Sequence, residues 1–106
     1  MNNEGNPLSE QILVTEILNG NVQSLAVVVK NTERLVMQIV RKMIAKEEDQ
    51  KDLVQEIYLN AYRNLSGFQF KSKLSKWIAN IAYNTIINYL QKKRIPLVEI
   101  TDISYL

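Results

Sequence analysis

The residues able to do chemistry in this chain are gathered in one stretch. Residues 57–98 contain no Asp or Glu but seven cations: Arg63, Lys71, Lys73, Lys76, Lys92, Lys93 and Arg94. Among them lie seven of the eight aromatic residues, Tyr58, Tyr62, Phe68, Phe70, Trp77, Tyr83 and Tyr89. Residues 1–56 hold no aromatic and set nine acids against six cations, and the last eight residues add Glu99 and Asp102. The net charge of +2 therefore conceals a basic, ring-bearing segment flanked by acidic ones. Cations contact phosphates and rings stack on bases, so the pattern suits a surface that meets a polyanion.

Other chemistry is poorly served. Without Cys there is no disulfide, thiolate nucleophile or zinc-cysteine site, and without His the commonest general base and metal ligand is missing. No Gly-rich phosphate loop, nucleophile elbow or metal-spaced set of carboxylates occurs. The expectation is a protein that is not an enzyme and that uses no cofactor or metal. At 106 residues, 46% hydrophobic and 23% charged, the composition is that of one soluble domain. No run approaches the roughly 18 apolar residues of a membrane span. The Asn-rich, acidic start is not a signal peptide. A cytoplasmic location without membrane insertion is expected.

Helices must position these groups. Residues 1–6 are expected to be disordered. Ser9 is a candidate N-cap for a short helix to about Leu18, with Glu10 favouring its positive end, and Asn19, Gly20 and Asn21 stop it. A second helix spans about residues 22–45, where Leu25, Val28, Val29, Leu35, Val36, Ile39, Val40, Met43 and Ile44 recur at three- and four-residue spacing. Asn31 and Thr32 suggest a break or kink within it. A third covers about residues 50–65, with Val54, Ile57, Tyr58, Ala61 and Leu65 on its apolar face and Asp52, Gln55, Glu56, Leu59 and Arg63 opposite. Ser66 and Gly67 end it, and residues 68–72 form an aromatic loop.

A fourth helix runs from near Ser72 to about Arg94, before Pro96. Leu74, Ile78, Ile81, Ala82, Thr85 and Tyr89 make its core side, with Trp77 at the edge. Its other side carries Lys73, Lys76, Asn80, Tyr83, Asn84, Ile87, Asn88 and Gln91 without an acid. The fold class is all-α: a compact bundle of three main helices plus a short N-terminal helix.

Two readings compete for each surface. The Lys/Asn/Gln side is nucleic-acid contact or a merely solvated face; solvated faces usually mix charge signs, and this one does not. Trp77, Phe68 and Phe70 stack on bases or fill the core. Asp52, Gln55, Glu56 and Leu59 form a protein-docking patch or a solubilising surface that suits its helix N-terminus.

Taken in order, Asp52-Leu53-Val54-Gln55-Glu56, the turn Gly67-Phe68-Gln69-Phe70, then Trp77-Ile78 opening a helix that ends in Lys92-Lys93-Arg94, closely resemble region 2 of bacterial RNA polymerase sigma factors. The likeness is to the extracytoplasmic-function group in particular, and it spans about residues 21–94. It implies that Asp52, Gln55, Glu56 and Leu59 dock on the clamp helices of the polymerase β′ subunit. It implies also that the loop and last helix recognise the promoter −10 element and hold its non-template strand open. On that reading DNA falls to Arg63, Phe70, Lys71, Lys73, Lys76, Trp77, Asn80, Tyr83 and Asn84, with the lysines on phosphates. An anti-sigma factor is a further implied partner.

The chain departs from the wider family in two ways. Primary sigma factors carry two adjacent Trp as a melting wedge, whereas here Lys76 precedes the single Trp77. Nothing after Arg94 supplies region 4, so the expected organisation is a helical domain over residues 7–95 and the start of an interdomain linker over 96–106. An alternative is an interaction module that binds polymerase or an anti-sigma factor without opening promoters. A helix-turn-helix binder of duplex DNA fits less well, because the 66–71 loop exceeds the three- to four-residue turn of that motif.

Overall fold

A computed structural model describes residues 7–101 of the chain, with side chains over residues 8–93. Four helices follow one another: α1 (Pro7–Leu18), α2 (Val22–Met43), α3 (Glu47–Arg63) and, after a 3-10 turn at Leu65–Gly67, α4 (Leu74–Thr101). No strand occurs among the described residues.

The punctuation is local chemistry. α1 ends in a turn through Gly20, whose φ of +94° is a conformation that L side chains rarely adopt. Asn21 then caps α2, its Oδ1 accepting from the backbone N–H of Gln23 at 2.9 Å and of Ser24 at 3.2 Å. Glu47, Glu48 and Asp49 fill the first turn of α3, where acidic charge opposes the helix dipole. Gln50 ties that turn back to α2 by donating to the Ile44 carbonyl at 2.8 Å.

α4 packs along both α2 and α3, while α1 lies against α2 and the 3-10 turn. Val36 and Val40 of α2, Ile57 of α3 and Ala82 and Ile86 of α4 are fully enclosed, with Ile78 beside them. Val14 and Ile17 carry α1 into the same core. Each of the Val and Ile side chains contributes roughly 1.5–3 kcal/mol on burial. Buried polar groups are paired across helices. Thr32 Oγ1 lies 2.8 Å from the Val28 carbonyl and 2.7 Å from the Tyr58 hydroxyl. Asn60 Nδ2 donates to Thr85 Oγ1 at 3.1 Å.

Several expectations change here. α2 does not break at Asn31 or Thr32, because the Thr32 hydroxyl is satisfied by its own helix and by Tyr58 of α3. α3 begins three residues before Gln50 and buries Leu53, which the expected stripe left out. Ile86, also outside the expected stripe, is fully buried in α4. The backbone of α4 continues through Pro96 to Thr101. A proline inside a helix costs one hydrogen bond and a ring clash, about 3 kcal/mol, and only five helical residues follow it here. The disorder expected for residues 1–6, and residues 102–106 of the expected linker, lie outside the described residues.

Candidate nucleic-acid interface

The loop between α3 and α4 is organised by three rings. Phe68 is buried, and its ring centroid lies 4.6 Å from that of Phe70 and 5.2 Å from that of Trp77, tilted by 54° and 51°. These tilted contacts lie within the favourable centroid separations of aromatic pairs. Phe68 and half-buried Trp77 therefore fill core, while Phe70, one residue beyond Gln69, is turned outward with 40% of its surface exposed. Phe70 has a φ of +59°, a left-handed conformation that costs a non-glycine residue on the order of 1 kcal/mol or more. Such strain is held by its surroundings, here the packing of Phe70 on Phe68, and it presents a ring at the head of α4.

Lys71 and Lys73 are exposed in the same loop and Lys76 on the first turn of the helix. Asn80, Tyr83 and Asn84 follow on the exposed side, with Tyr83 54% accessible. The rise of the helix spreads the positions from Lys73 to Asn84 over about 16 Å. Asn88 and Gln91 extend the face, whereas Ile87 is half-buried. The face can offer amides to base edges, ammonium groups to phosphates and rings to unpaired bases. Arg63 stands apart on α3: its guanidinium makes a long, 3.5 Å contact with Asn60 Oδ1, and Asn60 in turn reaches Thr85.

The expected docking residues form a second surface. Asp52, Gln55, Glu56 and Leu59 are all exposed on α3. Asp52 and Glu56 also line a groove of about 710 Å³ whose opposite wall is Asn88, Tyr89, Gln91 and Lys92 of α4. Partial burial, then a hydrogen bond to Asp49 and the charges of Asp49 and Asp52, hold the Tyr89 hydroxyl above its usual pKa. Lys93 Nζ sits 5.8 Å from the centre of the Tyr89 ring. Glu10 has no counterpart in the sequence-based expectations for this site. It is buried in α1, and its Oε1 accepts the backbone N–H of Leu74, the first residue of α4, at 3.1 Å. Nothing in the sequence pattern links positions 64 residues apart. Among the described residues no group of three or more acids could hold a metal ion, and no helix is long and apolar enough to cross a membrane.

Residues 28–95 match the family model for sigma-70 region 2. The chain belongs to the sigma-70 region 2 family. It is 33% identical over 91 residues to the ECF RNA polymerase sigma-E factor of Escherichia coli strain K12, an overlap of 84% of this chain and 47% of that protein. The corresponding factor of Haemophilus influenzae is 31% identical over 91 residues, 84% of this chain and 48% of its own length. The region 2 chain thus spans about half the length of these curated relatives. An NMR structure of an engineered region 2 of sigma-E in complex with GTAAAA matches with a TM-score of 0.69 and 33% identity, covering 80% of this chain and 90% of that one. The all-α bundle is therefore the sigma region 2 fold.

Proposed function

We propose that this region 2 domain acts in transcription initiation without doing covalent chemistry, binding RNA polymerase core and recognising the promoter −10 element as an open single strand. The observation that carries this reading is the exposed, acid-free side of the α3–α4 loop and α4, headed by the outward ring of Phe70. Phe70, Tyr83 and the accessible part of Trp77 meet unpaired bases, Asn80 and Asn84 read base edges, and Arg63, Lys71, Lys73 and Lys76 meet phosphates. That the similar sigma-E region 2 was solved with GTAAAA supports the choice of a short DNA strand. Asp52, Gln55, Glu56 and Leu59 dock on the polymerase β′ clamp helices. Apart from Arg63 at the end of α3, the DNA residues lie on the loop and α4, whereas this surface lies earlier on α3, which leaves both partners room to bind at once.

An anti-sigma factor is a further partner in this reading, and the cytoplasm is its site of action. Residues 7–95 act as the domain, and residues 96–106 open the linker, beginning as the last turns of α4. The test is fluorescence anisotropy with a panel of single-stranded hexamers, GTAAAA among them, in the presence of polymerase core. One preferred sequence is expected; equal affinity across the panel refutes −10 recognition. Polymerase binding without promoter opening would leave an interaction module in its place.

A further inference from the structure

The match to the family begins at residue 28, which leaves α1 outside it. Yet α1 reaches the head of the helix to which the proposed function assigns DNA. The first N–H groups of a helix have no partner within it, and a short polar side chain at the cap position normally supplies one. In α4 the cap position falls to Lys73, whose carbonyl accepts the Trp77 N–H at 3.1 Å. A lysine side chain only donates, so it cannot serve. Glu10 supplies the acceptor instead, 64 residues away along the chain, through the 3.1 Å bond from the Leu74 N–H to Oε1. The carboxylate is only 7% exposed, and Asn31, Thr32 and Ser75 share with it the lining of a small cavity of about 20 Å³. Its negative charge also suits the positive end of the helix dipole. Val14 and Ile17, at 3% and 2% exposure, hold α1 in the core independently of this bond.

We infer that Glu10 is a positioning residue for DNA recognition: it fixes the first turn of α4, and so sets Lys73, Lys76 and Trp77 in the pose that receives the unpaired strand. This rests on the reading of α4 as the DNA helix. The coupling is short. Lys73 and Leu74 are adjacent, Trp77 bonds to Lys73 through the backbone, and the Trp77 ring packs on Phe68, which packs on Phe70. A frayed first turn would move every group at the head of the site, while leaving the α3 docking face untouched.

The experiment uses the full chain with Glu10→Ala, which removes the acceptor, and Glu10→Gln, which keeps an oxygen there. Trp77 is the only tryptophan, so its emission reports the loop–helix junction directly. Glu10→Ala is expected to bind the tightest hexamer of the panel roughly fivefold more weakly, the equivalent of one helix cap. Its folded state should show red-shifted Trp77 emission. Glu10→Gln should restore both, and the affinity of both variants for polymerase core should stay unchanged. Should Glu10→Ala fail to fold, Glu10→Asp, one methylene too short for the Leu74 N–H, takes its place with the same expectations. Wild-type hexamer affinity and an unshifted Trp77 spectrum in the acceptor-less variant would overturn the inference. So would equal losses of hexamer and core binding that Glu10→Gln does not rescue. If the wild type discriminates no hexamer, the DNA reading itself falls. The Trp77 spectra then still decide the point, a shift supporting a Glu10-set head of α4 and its absence refuting it.

Discussion

Replacing Lys73 and Lys76 together by Ala tests the electrostatics of the site quantitatively. Three exposed lysines, Lys71, Lys73 and Lys76, lie within six positions across the loop and the first turn of α4. If each of them and Arg63 neutralises one phosphate, counterion release gives the logarithm of affinity a slope of about −0.7 per contact against the logarithm of salt, or about −3 in all. The double variant keeps two contacts and a slope of about −1.4. At about 0.1 M salt each lost contact is worth about 0.7 decades, so the variant binds roughly 25-fold more weakly; at about 0.3 M the deficit shrinks to roughly fivefold. The assay is anisotropy of the preferred hexamer across a salt series. The ratio of preferred to scrambled affinity should not change, because these side chains carry no sequence information. By contrast, Asn80→Ala or Asn84→Ala should compress that ratio and leave the salt slope alone. An unaltered slope in the lysine variant would show that neither side chain meets a phosphate.

Other surfaces yield separate outcomes. Asp52→Lys with Gln55→Ala should weaken binding to polymerase core by about 1 kcal/mol or more, fivefold at least, without changing hexamer affinity, as surface plasmon resonance can measure. Phe70→Gly relieves the φ of +59° but loses the ring. Thermal stability should stay within about 1 kcal/mol of wild type while strand binding falls by the roughly 1–3 kcal/mol of one stacked base. Tyr58 is held above its usual value of 10.0, by burial first and by Glu33, against an opposing bond to Thr32. A raised folded-state pKa stabilises fully below the unfolded value, so calorimetry should find a melting temperature insensitive to this group from about pH 7 to 9 and falling as pH rises above about 10. The alkaline loss should be smaller in Tyr58→Phe and persist in part through Tyr89, whose hydroxyl titrates in the same direction.

Much of this protein follows from the sequence by itself, because helix periodicity is a local property. Leu74, Ile78, Ala82 and Thr85 are buried where the spacing puts them, and Lys73, Lys76, Asn80, Tyr83 and Asn84 are exposed opposite. Asp52, Gln55, Glu56 and Leu59 also share an exposed face, as their spacing requires. The segregation of acids from the basic, aromatic segment is likewise composition alone, and it points to a polyanion without reference to the fold.

What the tertiary structure decided has no local signal. Phe68 and Phe70 belong to a loop with no period, and only the packing of the Phe68 ring on Trp77 determines which ring is buried and which is left outside. Leu53 and Ile86 sit at the margins of their stripes, where burial depends on which neighbouring helix lies opposite. Thr32 reads as a helix breaker until Tyr58 of α3 shares its hydroxyl. The cap of α4 comes from Glu10, because a helix N-terminus needs an acceptor at about 3 Å but is indifferent to where along the chain that acceptor originates.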